Sequence, residues 1–99
     1  MNVIKWPHEA EAQLNDIRQL FEQINLKPIT YALEREEKLG PIASPNNQII
    51  IVAEGLVEVS GDGRLAVLQP GDRVDIHKGT IYSMRNVSKG QSVLLRAIP

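Results

Sequence analysis

Enzymatic chemistry needs nucleophiles, bases or metal donors, and this chain of 99 residues holds few of them. It has two histidines, His8 and His77, and no cysteine. Without a thiol there is no disulfide, iron–sulfur cluster, zinc–thiolate site or cysteine nucleophile. Asp75 and His77 stand two apart, so on a strand they share a face and could pair. Val74 and Ile76 alternate with them; if that apolar pair points inward, Asp75 and His77 point to solvent. Ser44, Ser60, Ser83, Ser88 and Ser92 all lack the G-x-S-x-G context of a nucleophile elbow, and neither histidine stands where it would activate one. A paired-carboxylate site could draw on Glu54, Glu58, Asp72 and Asp75, all beside turns or on the expected outer face. Gly61-Asp62-Gly63 is too short to cradle a phosphate and reads as a hairpin turn.

The elements that position these residues fall into two parts. Leu14, Ile17, Leu20, Phe21 and Ile24 recur at three- and four-residue spacing, the stripe of an amphipathic helix. Pro7 suits a first helical position, so the first quarter reads as one helix that includes His8. Asn25 can end it in a left-handed conformation, and Pro28 prevents its return. After Pro28 everything reads as strand and turn. Ile29, Tyr31 and Leu33 alternate with Thr30, Ala32 and Glu34, Gln48 to Ala53 is rich in β-branched residues, and Val57 and Val59 alternate with Glu58 and Ser60. A hairpin is expected over residues 56–60 and 64–69, with further corners at Pro70-Gly71, Lys78-Gly79 and Lys89-Gly90. Seven or eight short strands at this spacing point to an antiparallel sandwich or barrel. At 42% apolar and 23% charged residues the composition is globular, and a chain of this size buries roughly 65% of its unfolded surface, enough to fold unaided.

From Gly71 to Asn86 the spacing resembles the second motif of the cupins, in which two glycines, a proline, a histidine and an asparagine recur in register. Gly71, Gly79 and Asn86 hold their places, while His77 replaces the proline and Tyr82 replaces the histidine. The preceding Leu68-Gln69-Pro70-Gly71-Asp72 is similar to the corner that leads into that motif. The first cupin motif is recognisable mainly at its end, where Gly55 closes the run from Ile49. Counting back places Gln48 at the motif's glutamate and Ser44 and Ile42 at its two histidines. The resemblance covers about residues 38–98. Its four metal-holding positions are therefore Ile42, Ser44, Gln48 and Tyr82. Isoleucine has no lone pair, neutral serine and glutamine oxygens are weak donors, and tyrosine ionises only near pH 10. No metal or other cofactor is expected.

The resemblance implies a mostly β fold, a cupin-type double-stranded β-helix (jelly-roll barrel) with one N-terminal α-helix. Residues 1–28 form an arm and helix packed on a barrel of residues 29–99, one domain in all. Strand parity would line the barrel with Tyr31, Ile42, Ser44, Gln48, Ile50, Tyr82 and Met84, an apolar pocket with a few orienting polar groups. The same side chains could instead fill the barrel, with Tyr82 and Gln48 bonded to each other. The leading expectation is a metal-free domain that binds a small organic ligand, in a sensory or regulatory role. Two alternatives stand beside it: a divergent isomerase- or dioxygenase-like enzyme built around Tyr82 and Gln48, and a structural or partner-binding protein with a filled barrel. With no visible base, binding is preferred to catalysis and no catalytic residue is assigned. A homodimer is expected, with the arm carrying Val3, Ile4 and Trp6 or an edge strand at the interface; alternatively Trp6 packs on its own barrel. The formal net charge of −1 gives no basic surplus for nucleic acid. The longest apolar run, Ile49 to Ala53, is too short for a membrane span, and the N-terminus lacks a signal-peptide stretch, so a cytoplasmic location is expected.

Overall fold

A computed structural model describes residues 1–99. Strand β1 (Asn2–Ile4) and helix α1 (Leu14–Gln23) precede β2 (Ile29–Leu33), β3 (Lys38–Ala43), β4 (Gln48–Glu54), β5 (Val57–Gly61), β6 (Arg64–Leu68), β7 (Arg73–Ile76), β8 (Ile81–Asn86) and β9 (Ser92–Ala97). They form a five-stranded sheet in the order β1-β7-β4-β9-β2 and a four-stranded sheet in the order β3-β8-β5-β6. Every pairing is antiparallel. The architecture is thus a mostly β, two-sheet jelly roll with one N-terminal helix. β1 is the strand that the sequence hides, because three residues are too few to display an alternation. It pairs Val3 with Val74 and makes the arm part of the sheet rather than an appendage on it.

The alternation in each strand builds the interior. Ile50 and Val52 from β4, Val57 and Val59 from β5, Val74 and Ile76 from β7, and Tyr82 and Met84 from β8 belong to one cluster of 11 buried residues between the sheets. The intervening residues of β4 and β9, namely Ile49, Ile51, Leu95 and Ala97, face the other way and meet Ile17 and Phe21 of α1. β4 is therefore apolar on both faces, which is why it reads as an unbroken run instead of an alternation. Burying Ile17 and Phe21 completely on that outer face contributes roughly 2–3 kcal/mol each.

The helix starts later than Pro7. Residues 5–13 carry no regular structure, and the helical turns begin at Leu14, where the Asp16 carboxylate accepts the Gln13 N–H at 2.8 Å. Pro7 and His8 are held off the helix by the arm's attachment to the β6–β7 corner. There Asp72 is buried, and its carboxylate accepts the Trp6 N–H at 2.8 Å, the Lys5 ammonium at 3.0 Å and the Gln69 N–H at 2.8 Å. Asp72 thus leaves the solvated position expected of it and becomes the anchor of the arm. Gly71, at φ +92°, lies under the Trp6 ring, where an added Cβ would come within 2.8 Å of the indole. Trp6 packs on its own sheet.

One turn and one irregularity within a strand fix the register of the four-stranded sheet. Asp62 and Gly63 both have positive φ, 52° and 70°, the conformation a two-residue hairpin loop needs to match strand twist. In β3 the register shifts between Leu39, opposite Met84, and Ile42, opposite Tyr82. The shift, at Gly40 with φ +87°, turns both Leu39 and Ile42 to the inner face, although they stand an odd number of residues apart.

Candidate functional site

At one end of the barrel the start of β4, the end of β3 and the start of β8 bring three polar side chains together. Gln48 Nε2 donates to Ser44 Oγ at 2.8 Å and to Tyr82 Oη at 3.1 Å. Ser44 Oγ in turn donates to the Asn46 carbonyl at 2.6 Å, so toward Gln48 it can only accept. That chain of bonds fixes the orientation of the Gln48 amide. Its Oε1 is left buried with no hydrogen-bond partner. All three residues are at most 4% exposed.

Arg96 joins this set from β9. It stands opposite Ile50 of β4, whose side chain is in the interior, and two residues from inward-facing Leu94. The side chain therefore lies on the inner face at the barrel end, where it walls a small gap. Its Nε is buried without a partner, and Arg96 enters none of the molecule's three ion pairs. Tyr31 of β2 lies opposite Leu94 and is half-buried, its hydroxyl 3.9 Å from the Met84 sulfur. Burial, reinforced by Tyr82, pushes the Tyr31 phenol up to about 12, against a smaller opposing pull from the Arg96 charge. The parity of β9 was the available signal for Arg96, but Leu94 and Leu95 are both apolar and leave that parity undecided.

The two unpartnered atoms belong to residues that line one gap. It measures about 30 Å³ and is walled by Pro45, Asn46, Gln48, Arg96 and Ile98. Ile50 and Met84, placed in the pocket by sequence, are 0% and 1% exposed and lie within the packed interior cluster. Ile42 shares the face of Tyr82 but stands on an edge strand and is 44% exposed. The polar end of the barrel is thus a mouth above a filled interior. Larger depressions, of about 520 and 500 Å³, flank Trp6 on the outside. Their basic side chains are paired within the fold, Lys5 with Asp72 at 3.0 Å and Arg73 with Asp75 at 2.7 Å.

No three residues among His, Cys, Asp and Glu come together as a metal-binding group. His8 stacks edge-on against Trp6 with ring centroids 4.9 Å apart, and His77 is exposed. Asp75 takes Arg73 as its partner rather than His77. The groups at the mouth are a carboxamide, two hydroxyls and a guanidinium; the first two kinds are weak neutral donors and the last has no free lone pair, so they do not fit a transition ion. Asn86 does structural work at the opposite end. Its Nδ2 faces the carbonyls of Leu33, Glu34 and Gly90, and its Oδ1 accepts from Ser88 N, Ser88 Oγ and Ser92 Oγ. No helix is long and apolar enough to cross a membrane.

No protein-family model matches the chain, and no curated protein matches its sequence. Solved structures do match. A conserved protein of unknown function from Streptococcus pyogenes, SPY1581, is 19% identical, with 74% of this chain and 63% of that one covered at a TM-score of 0.63. The cupin domain of CENP-C from Drosophila melanogaster is 25% identical over 71% of this chain and 58% of that one, at a TM-score of 0.61. An RmlC-like cupin from Shewanella frigidimarina is 19% identical over 75% of this chain and 67% of that one, at 0.62. The chain thus spans about three-fifths of the length of the first two.

Proposed function

We propose that this chain, a cupin by fold with its metal positions substituted, is a metal-independent module that binds a small organic ligand at the barrel mouth. The observation that carries this reading is the buried Gln48 amide, locked by Ser44 and Tyr82 with Oε1 turned to no partner. An unmet buried acceptor costs about 1–3 kcal/mol, a cost that a ligand donor removes on binding. The packed interior favours occupancy of the mouth over the barrel centre. A sensory or regulatory role suits a site with an orienting polar set and no general base beside it. Native mass spectrometry of freshly purified protein tests the reading, together with a thermal-shift screen of small metabolites. A co-purifying molecule, or stabilisation that Tyr82→Phe weakens, is the expected result. A bare mass and no stabilising compound would favour the structural alternative, and a stoichiometric transition metal that survives dialysis would overturn metal independence.

The module is also proposed to pair with a second copy. Leu65 and Val67 on β6 and Ile81 on β8 are 67%, 43% and 66% exposed on the outer face of the four-stranded sheet, opposite the face that packs inward. Glu58 and Arg85 stand opposite each other on that face without forming an ion pair, so a two-fold arrangement can match each with its opposite across the axis. Of the two expected contacts, the arm or an edge strand, this face takes the second, since β6 is the edge strand that carries Leu65 and Val67. Light scattering at micromolar concentration should give twice the chain mass, and Ile81→Glu should return the monomer.

A further inference from the structure

Resting on the barrel-mouth reading, we infer that the ligand is an organic acid with a hydrogen-bond donor beside its carboxylate and an apolar body, and that Arg96 selects it. Three observations specify these parts. A guanidinium at the barrel end, with no acidic partner and a buried Nε lacking any bond, is complementary to a carboxylate, which its forked donors bind in two-point geometry. The neighbouring Gln48 Oε1 cannot be satisfied by a carboxylate, because it is itself an acceptor. Its orientation, fixed by Ser44, calls for a hydroxyl or amino donor adjacent to the acid group, as in a 2-hydroxy or 2-amino acid.

The gap gives the scale and direction. About 30 Å³ accommodates the carboxylate end of a molecule and not the whole of it. The rest must extend outward, where Ile98 at the gap and Ile29 opposite Arg96 on β2 are 51% and 58% exposed. Those two side chains offer an apolar ledge for a branched aliphatic or aromatic body. No acid lines the gap to repel an anion.

The test uses the purified 99-residue chain and three probes with one carbon skeleton: 2-hydroxyisocaproate, isocaproate and 2-hydroxyisocaproamide. Calorimetry should show 2-hydroxyisocaproate binding at least tenfold more tightly than either of the others. The first comparison isolates the hydroxyl donor and the second the carboxylate. Arg96→Met removes an unpaired, partly buried charge, a change that tends to be neutral or stabilising, so this variant is expected to fold with an unchanged or raised Tm. It should lose the preference for acid over amide. If the amide binds wild type as well as the acid does, or Arg96→Met keeps its acid affinity, the anion inference fails while the mouth stands as a site. Failure of the acid to bind wild type at millimolar concentration also overturns the inference. If no probe binds and no compound of any charge stabilises the protein, the underlying ligand-binding reading fails with it.

Discussion

Asn86 and Gln48 are both buried amides, and they divide the labour of the barrel between its two ends. Asn86 has a partner for every polar atom, three carbonyls on one side and three donors on the other. Replacing it with alanine strands several of those groups away from water, so Asn86→Ala should cost about 3–5 kcal/mol in urea unfolding. Gln48, by contrast, keeps one atom unmet. The sequence made Ser44, Gln48 and Tyr82 legible because a spaced glycine framework brackets them, even though the residue types themselves had changed. Arg96 was not legible, since an arginine in a terminal strand normally faces solvent and its apolar neighbours Leu94 and Leu95 are buried on opposite sides. Tyr31 supplies a test of this environment by pH. Its phenol ionises near 10.0 when free and at about 12 when folded. Across that window the unfolded chain releases a proton that the folded chain retains, so stability is unaffected below pH 10 and falls as pH rises toward 12. The loss amounts to roughly 2–3 kcal/mol. Tyr31→Phe should differ from wild type by less than about 1 kcal/mol at neutral pH and show a shallower alkaline decline in Tm.

At the scale of elements, the hairpin over β5 and β6 and the end of α1 were readable because both rest on local chemistry. Asp62-Gly63 fits a positive-φ turn, and Asn25 takes φ 58° just past the helix. The helix start was not readable, since it depends on contacts between residues far apart in the chain. Trp6 and Lys5 bind Asp72, at sequence separations of 66 and 67, and those bonds hold Pro7 and His8 outside the helix. The short strand β1 depends on the same attachment, for three residues paired only with β7 cannot persist alone. Asp72→Ala should therefore act on an element rather than a point. Loss of a carboxylate that accepts from two backbone N–H groups and an ammonium is expected to cost about 2–4 kcal/mol. Hydrogen exchange is the discriminating measurement: the amides of Asn2 to Trp6 should lose protection well before those of β4 and β9. Equal loss everywhere would mean that the arm and barrel open together.

The molecule as a whole has two apolar layers that share the same strands. Ile50, Val52 and Leu94 face the barrel interior, while Ile49, Ile51 and Leu95 from the same two strands face α1. Neither layer can dissolve without exposing the back of the other, so the helix is not an independent cap. Two consequences follow for unfolding. Helix and barrel signals should disappear in a single transition, with far-ultraviolet circular dichroism and calorimetry giving the same midpoint. A cavity on the helix side should also weaken the far side of β4. Phe21→Ala removes the largest fully buried side chain and should cost about 3–5 kcal/mol. That is a large share of the 5–15 kcal/mol that stabilises an ordinary domain. Two-layer coupling also bears on the mouth, because Arg96 and Gln48 are carried at the ends of β9 and β4. Phe21→Ala should then reduce ligand-induced stabilisation as well as Tm, although Phe21 touches neither residue's side of the sheet. If the helix side can be hollowed with the barrel melting unchanged, the two layers are separable and this coupling does not exist.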